Sequence, residues 1–196
     1  LPKKEIICGY GEILKHSLIA DKKFFLWLSK NAKKIINNKD KNLLAMAIMK
    51  SCKIKSQIVG RDEKEQKLRM MLNFGHTFAH GFEGVKNFSK KLNHGEAVLL
   101  GMIVASDLSN KKKLLSFEEL SMIKKHYKNL KLLMNIKKFF KKNEVNKIVS
   151  FMKKDKKNVS NKINLILLKK IGKTTRPKQI ALKDIEIKKF LDSYYF

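Results

Sequence analysis

Cysteine and proline are almost missing from this chain: Cys8 and Cys52 are the only thiols, and Pro2 and Pro177 the only prolines. Two cysteines without a CxxC pair exclude a disulfide framework and a thiolate zinc ribbon, and make a reducing cytoplasm the expected setting. Arginine is as scarce, at positions 61, 69 and 176 alone, so the excess that brings the net charge to +28 is almost wholly lysine. Dense positive charge attracts polyphosphates without sequence preference. Arginine, however, is the side chain suited to forked contacts with phosphates and bases. Lysines spread from Lys3 to Lys189 among many Asn and Ile read as composition bias, so a basic nucleic-acid-binding protein is the competing reading and not the favoured one. There is no long apolar run either. The longest stretch, Ala97 to Ala105, falls well short of the roughly 20 residues a bilayer demands, so no membrane partner is expected. The opening LPKKEIICGYGEILKH lacks the order of a secretory signal, and its first residue is Leu, not Met, which reads as a truncated or processed chain. A P-loop and a Gly-rich strand-turn-helix fingerprint are both missing, which sends most contacts to any nucleotide elsewhere.

What is present is a helical pattern. With 196 residues and 43% hydrophobic content, the chain suits one domain with a sizeable core. Turn signals separate apolar-periodic runs, and no internal repeat occurs. Helices are predicted over Tyr10 to Ile19, from an N-capping Asp21, over Lys41 to Val59, Asp62 to Glu83, His94 to Leu108, Ser116 to Lys128, Asn143 to Lys153 and Lys183 to Tyr194. A Lys-rich loop is predicted at Lys86 to Lys91. Ile163 to Leu168 is the one good strand candidate. The expected fold class is mainly α, multi-helical, with at most a short strand or hairpin near 163–168.

Glu65, Arg69, Asn73, His76 and His80 recur at offsets of 4, 4, 3 and 4, which would place all five on one narrow arc of the predicted Asp62 to Glu83 helix. A polar stripe on an amphipathic helix is ordinarily its solvated face. This stripe differs in composition. Lysine, the default surface residue here, is missing from it, whereas it holds one of three Arg and two of five His. Gly75 within the same run costs about 1 kcal/mol relative to Ala in a helix, which either tight helix packing or close approach of a ligand would explain. Lys55 follows Leu44, Ile48 and Ser51 along one side of its helix, and reads either as a snorkelling amine or as a cation held at a site.

His76 and His80 could share a metal, but no Glu follows His76 as a HExxH protease requires. A different trio is more attractive: Glu12, His76 and His94, one acid and two imidazoles. Three such ligands leave positions open for substrate or water, as in a catalytic zinc site. Against this stands the commoner structural role of a lone histidine.

The segments GYGEILKH, SCKIKSQIV, DEKEQKLRMMLNFGHTFAHGFE, LNHGEAVLLGM and MKKDKKN, in that order and spacing, resemble the C-terminal domain of the 3-dehydroquinate synthases, within the sugar-phosphate cyclase superfamily. The likeness spans nearly the whole chain. It implies that residues 1–196 are a single helical metal and substrate domain, and that the family's N-terminal NAD-binding α/β domain is absent from this chain. It implies Glu12, His76 and His94 as zinc ligands, with cobalt, manganese or iron also compatible with the donor set. Lys15, Lys55, Arg69, Asn73, His80 and Lys156 match positions that bind the substrate's carboxylate, hydroxyls and phosphate, and Glu65 an acid that orients them. Lys15, His80 and Glu65 are the implied catalytic set. The implied reaction converts 3-deoxy-D-arabino-heptulosonate 7-phosphate to 3-dehydroquinate: NAD⁺ oxidises an alcohol, phosphate is eliminated, the ketone is reduced again, and the ring opens and recloses. That is a phosphate-eliminating lyase of the shikimate route to chorismate and aromatic amino acids. A cytoplasmic homodimer is implied too. Another sugar-phosphate cyclase is the nearest alternative, against which Lys55, Arg69 and Asn73 argue. Two departures stand out: His16 where the family usually has Tyr, and FAHGFE for the commoner FGHAIE.

Overall fold

A computed structural model describes residues 2–37, 40–89, 91–154 and 162–196. Among these, α-helices cover α1 (Lys3–Ala20), α2 (Lys22–Ile36), α3 (Lys41–Gly60), α4 (His76–Val85), α5 (His94–Lys111), α6 (Phe117–Leu130), α7 (Val145–Lys153) and α8 (Asp184–Asp192). The fold is mainly α, as the hydrophobic periodicity predicts. No described helix is long and apolar enough to cross a membrane.

Helix α5 is the axis of the molecule. Every residue from Ala97 to Ser106 is buried, so this helix is apolar all round and must be surrounded. It is packed by α1, α4 and α6. Its start is fixed by Asn93, whose side chain accepts from Glu96 N at 2.9 Å while the Glu96 carboxylate accepts from Asn93 N at 3.0 Å. That capping box sets His94 at the first turn of α5. Helix α1 also packs against α2 and α3, and α4 against α7. It begins seven residues before the predicted Tyr10, because Pro2 sits at its N-cap with φ −56°, a place where a missing N–H costs nothing.

The predicted helix from Asp62 to Glu83 does not form as one piece. Asp62 accepts the backbone N–H groups of Gln66, Lys67 and Arg69 at 3.0, 2.8 and 2.9 Å, taking donors a helix would have used. Glu65 takes a positive φ of 53°, a 3-10 turn runs Leu68–Asn73, and Gly75 at φ +81° precedes a fresh helix, α4. The five polar residues therefore share no single helical arc. Gly75 also packs closely: a Cβ there would lie 2.8 Å from Met102 N on α5.

The predicted strand Ile163 to Leu168 divides in two. β1 (Lys162–Leu165) pairs antiparallel with β4 (Ile180–Lys183), and β2 (Leu168–Lys170) with β3 (Lys173–Thr174). The break has a cause: Leu167 N donates to Thr175 Oγ1 at 3.1 Å and Thr175 N to Leu167 O at 2.8 Å, tying Leu167 away from β4.

His126 is buried at the α6 face. Ser29 gives its hydroxyl proton to Phe25 O, so His126 Nδ1–H donates to Ser29 Oγ at 3.2 Å and Nε2 accepts from Tyr10 at 2.7 Å. Burial pushes its pKa down to about 4 from the ordinary 6.5. The unfolded chain therefore takes up a proton as pH falls below 6.5 that the native chain refuses until about 4, so stability present above 6.5 is lost across that window. From pH 7 to 5 this histidine alone is expected to cost about 2 kcal/mol. Urea titrations of wild type and His126→Gln check this: the variant should show the smaller loss on acidification, and equal losses would refute the assignment.

Candidate active site

Two helix starts and one mid-helix turn bring the site together. Glu12 and Lys15 project from α1 one turn apart, His76 and His80 from the first turns of α4, and His94 from the start of α5. Glu12 Oε2 accepts from Lys15 Nζ at 2.7 Å, and Oε1 lies 3.9 Å from His76 Nε2. The His76 ring sits 5.6 Å from that of His94 and 6.0 Å from that of His80, both edge-on. Glu12 and His94 are 82 positions apart, yet each lies beside His76.

Each histidine of the trio has its tautomer fixed by a neighbour. His76 Nδ1 donates to Phe74 O at 3.4 Å, and His94 Nδ1 to the buried Glu83 at 3.0 Å. Both leave the Nε2 lone pair free, the arrangement of a ligating imidazole backed by a carbonyl or carboxylate. Burial and the nearby Lys15 push His76 down to about 4, so its ring is neutral at physiological pH. The Glu83 hydrogen bond moves His94 the other way, raising it. Burial opposes charge on Glu12, but the attraction and hydrogen bond of Lys15 outweigh it and hold the carboxyl below its ordinary value. Lys15 is itself buried, which lowers its pKa, with the charge of Lys55 adding to the effect and Glu12 opposing it.

Whether a metal fits can be judged on these atoms. Glu12 Oε1 is buried without a hydrogen-bond partner, an expensive state for a carboxylate oxygen unless something positive joins it. The neutral imidazole of His76 lies 3.9 Å from that oxygen through Nε2, with the ring of His94 5.6 Å beyond. As the side chains stand, no three His, Cys, Asp or Glu among the described residues are grouped closely enough to hold an ion. The Lys15 bridge accounts for part of that spacing, since the ammonium holds the other oxygen of Glu12. The donor chemistry, one carboxylate and two imidazoles, fits a divalent ion.

The remaining candidates form a second group. Asn73 Nδ2 donates to Glu65 Oε1 at 2.9 Å, and Arg69 Nη1 to Glu63 O at 2.7 Å. The 3-10 turn that carries Arg69 and Asn73 packs on α1 and α3. Lys55, on α3, lines with Glu12, His16 and Ser51 a cavity of ≈ 340 Å³ between α1 and α3. His16 Nδ1 is 2.6 Å from Ser51 Oγ while its Nε2 is buried without a partner. Lys156 lies outside the described residues.

Glu83, the partner of His94 Nδ1, is the one member of this cluster not marked by the sequence pattern. It stands seven residues after His76, two helical turns on, in an otherwise apolar helix end, and that placement was the available signal.

The same helical architecture forms about half of two larger solved synthases. ValA, the 2-epi-5-epi-valiolone synthase of Streptomyces hygroscopicus subsp. jinggangensis 5008, solved with NAD⁺ and Zn²⁺ bound, superposes with a TM-score of 0.83 at 20% identity, over 100% of this chain and 52% of its own. 2-deoxy-scyllo-inosose synthase, complexed with carbaglucose-6-phosphate, NAD⁺ and Co²⁺, gives 0.71 at 18% identity, over 98% of this chain and 53% of its own. At those identities the likeness is one of fold. The family itself follows from sequence: residues 9–158 match the family model of the 3-dehydroquinate synthase C-terminal domain, and the chain belongs to that family. The 3-dehydroquinate synthase of Pelagibacter ubique (strain HTCC1062) is 51% identical over 187 residues, which is 95% of this chain and 50% of that protein. That of Acinetobacter baumannii (strain AYE) is 35% identical over 189 residues, 96% of this chain and 50% of its own. The chain spans about half the length of the curated relatives it matches.

Proposed function

We propose that this chain is the metal- and substrate-binding part of a 3-dehydroquinate synthase, a lyase that converts 3-deoxy-D-arabino-heptulosonate 7-phosphate to 3-dehydroquinate and phosphate. This places it in the shikimate route to chorismate and aromatic amino acids. The observation that carries the reading is the meeting of Glu12 and His76 at 3.9 Å, with His94 against His76, beside the buried Lys15. Residues 1–196 act on this reading as one helical domain in the cytoplasm, in a homodimer, and the chain alone does not complete the reaction. The nucleotide-binding domain that supplies most contacts to NAD⁺ belongs to the half of the relatives that this chain does not span.

Glu12, His76 and His94 would hold zinc, with cobalt a workable substitute for a donor set of two imidazoles and a carboxylate. The ion supplies Lewis acidity to the substrate's hydroxyls. Lys15, an ammonium buried against Glu12, presents a proton donor and a positive charge to a group bound beside it. Its depressed pKa brings it closer to the range in which a lysine can exchange a proton. Lys55, Arg69, Asn73 and Lys156 would bind the carboxylate, hydroxyls and phosphate. Arg69 suits the anionic ends, since one arm of its guanidinium is fixed by Glu63 O and the rest of the fork is presented as a unit. Glu65 accepts from Asn73 and so orients that amide toward its ligand. His80, against the edge of His76, would serve the phosphate side by hydrogen bonding or proton relay. A phosphate-bearing polyol as ligand is supported by carbaglucose-6-phosphate in the inosose synthase of the same fold.

Co-expression with the N-terminal half of the Pelagibacter ubique relative tests the proposal. The hybrid is expected to release inorganic phosphate from the heptulosonate phosphate in an NAD⁺-dependent reaction, with 3-dehydroquinate found by mass spectrometry. A folded hybrid that releases none would sink it. Turnover of a carboxylate-free sugar phosphate instead would move the chain to another cyclase activity.

A further inference from the structure

Arginine is the rarest basic residue of this chain, yet two of its three copies face one pocket. Arg61, at the C-cap of α3, and Arg176, in the loop after β3, are 115 positions apart and line a pocket of ≈ 490 Å³ together with Lys173. None of Glu12, Lys15, His76 or His94 lines it. Ile19, Ile54, Ile58, Leu68 and Met71 supply apolar wall, with Gln57, Thr174 and Thr175 as neutral polar lining. Its one acidic lining residue, Asp21, is engaged in capping α2, accepting from Phe24 N at 2.9 Å. Among the described residues no acidic side chain pairs with Arg61, Lys173 or Arg176.

The wall that carries the cations is anchored. Gly172, at φ +86°, donates its N–H to Leu18 O at 2.7 Å, and Ile171 N donates to Glu119 Oε2 at 3.1 Å. Thr175 is buried and tied to Leu167 by two hydrogen bonds. Lys173, which opens β3, and Arg176, just beyond it, thus stand on a segment held on both sides, which reduces the ordering cost of a ligand.

From this we infer that the pocket binds an organic anion with an apolar body, of the class of aromatic or branched aliphatic carboxylates. Guanidinium groups recognise a carboxylate as a planar fork, and five apolar side chains would cover the rest of such a ligand. An inorganic anion would leave those side chains unused. The inference goes beyond the proposed function and does not rest on it. Leu68 and Met71 line the pocket from the same 3-10 turn that carries Arg69, so a ligand here would bear on the segment of the substrate group.

Benzoate, benzamide and inorganic phosphate, titrated separately into the ¹⁵N-labelled full chain, test the inference by NMR. Benzoate is expected to shift amides at 57–61 and 172–176 saturably. Benzamide, which lacks the charge, and phosphate, which lacks the apolar body, should each bind at least about fivefold more weakly. Arg61→Ala and Arg176→Ala, both at exposed positions, should each weaken benzoate by about fivefold, with Arg→Lys falling between. Three results would overturn the site: benzoate affinity within twofold of wild type in both Ala variants, phosphate binding there as tightly as benzoate, or shifts scattered over the lysine surface without saturation.

Discussion

Alanine at His76 is expected to remove zinc retention altogether, with metal affinity falling at least about 100-fold while the helical content stays as in wild type. The magnitude follows from the position of the ring. Losing only an outer partner of a metal-bound histidine costs about 10- to 100-fold, and loss of the ligand itself must exceed that. His76 is also the hub of the cluster, lying against Glu12, His80 and His94. Glu83→Gln is the graded companion: it keeps the shape but weakens the hold on His94 Nδ1, so a loss of about 10- to 100-fold is expected. Lys15→Ala separates the metal from the chemistry. It frees Glu12 of the 2.7 Å ammonium bridge, so zinc should be retained at least as well, while phosphate release by the hybrid enzyme falls about 100-fold or more. Dialysis followed by elemental analysis reads the metal in all three, and a phosphate-release assay of the hybrid reads the activity of Lys15→Ala. Zinc held by His76→Ala as firmly as by wild type would remove the histidine from the ligand set.

Much of the fold is legible in the chain because its signals are local. Asp21, Asp40 and Ser116 each cap the helix that follows, and Asn93 with Glu96 closes a box ahead of α5. Burial of α5 on all sides follows from its unbroken apolar run. What local pattern cannot supply is the competition for backbone donors at Asp62. The spacing of Glu65, Arg69, Asn73, His76 and His80 satisfies a helix on paper, but one carboxylate takes three N–H groups and the chain turns instead. The candidate site shows the same division. Its residue types mark Glu12, His76 and His94, whereas Glu83 becomes visible only when α4 and α5 are laid side by side. The split of Ile163 to Leu168 into two pairings likewise depends on Thr175, eight residues beyond Leu167, and not on the run's own composition.

Gly101→Ala is expected to be among the most destabilising single changes the chain can carry, and to release the metal as a consequence. A Cβ at position 101 would lie 2.1 Å from Gly75 O and 3.1 Å from Ala79 N. Both are backbone atoms, so relief demands that α4 move away from α5 as a body. Overpacking of this kind costs about 1–3 kcal/mol where side chains can yield, and more where they cannot. About 3 kcal/mol corresponds to a melting point lower by about 6–12 °C for a chain of this size. Gly75, which begins α4, and His76, which follows it, are the residues displaced, so the substitution should loosen Glu12 and His94 from His76 even in the fraction that folds. Gly9→Ala is the control. A Cβ at Gly9 meets nothing within 4 Å, and the residue is exposed in α1, so alanine there should be neutral or stabilising by up to about 1 kcal/mol through helix propensity. Thermal melts together with zinc retention decide the matter. If Gly101→Ala melts with Gly9→Ala and keeps its metal, α4 and α5 do not approach as closely as the site requires.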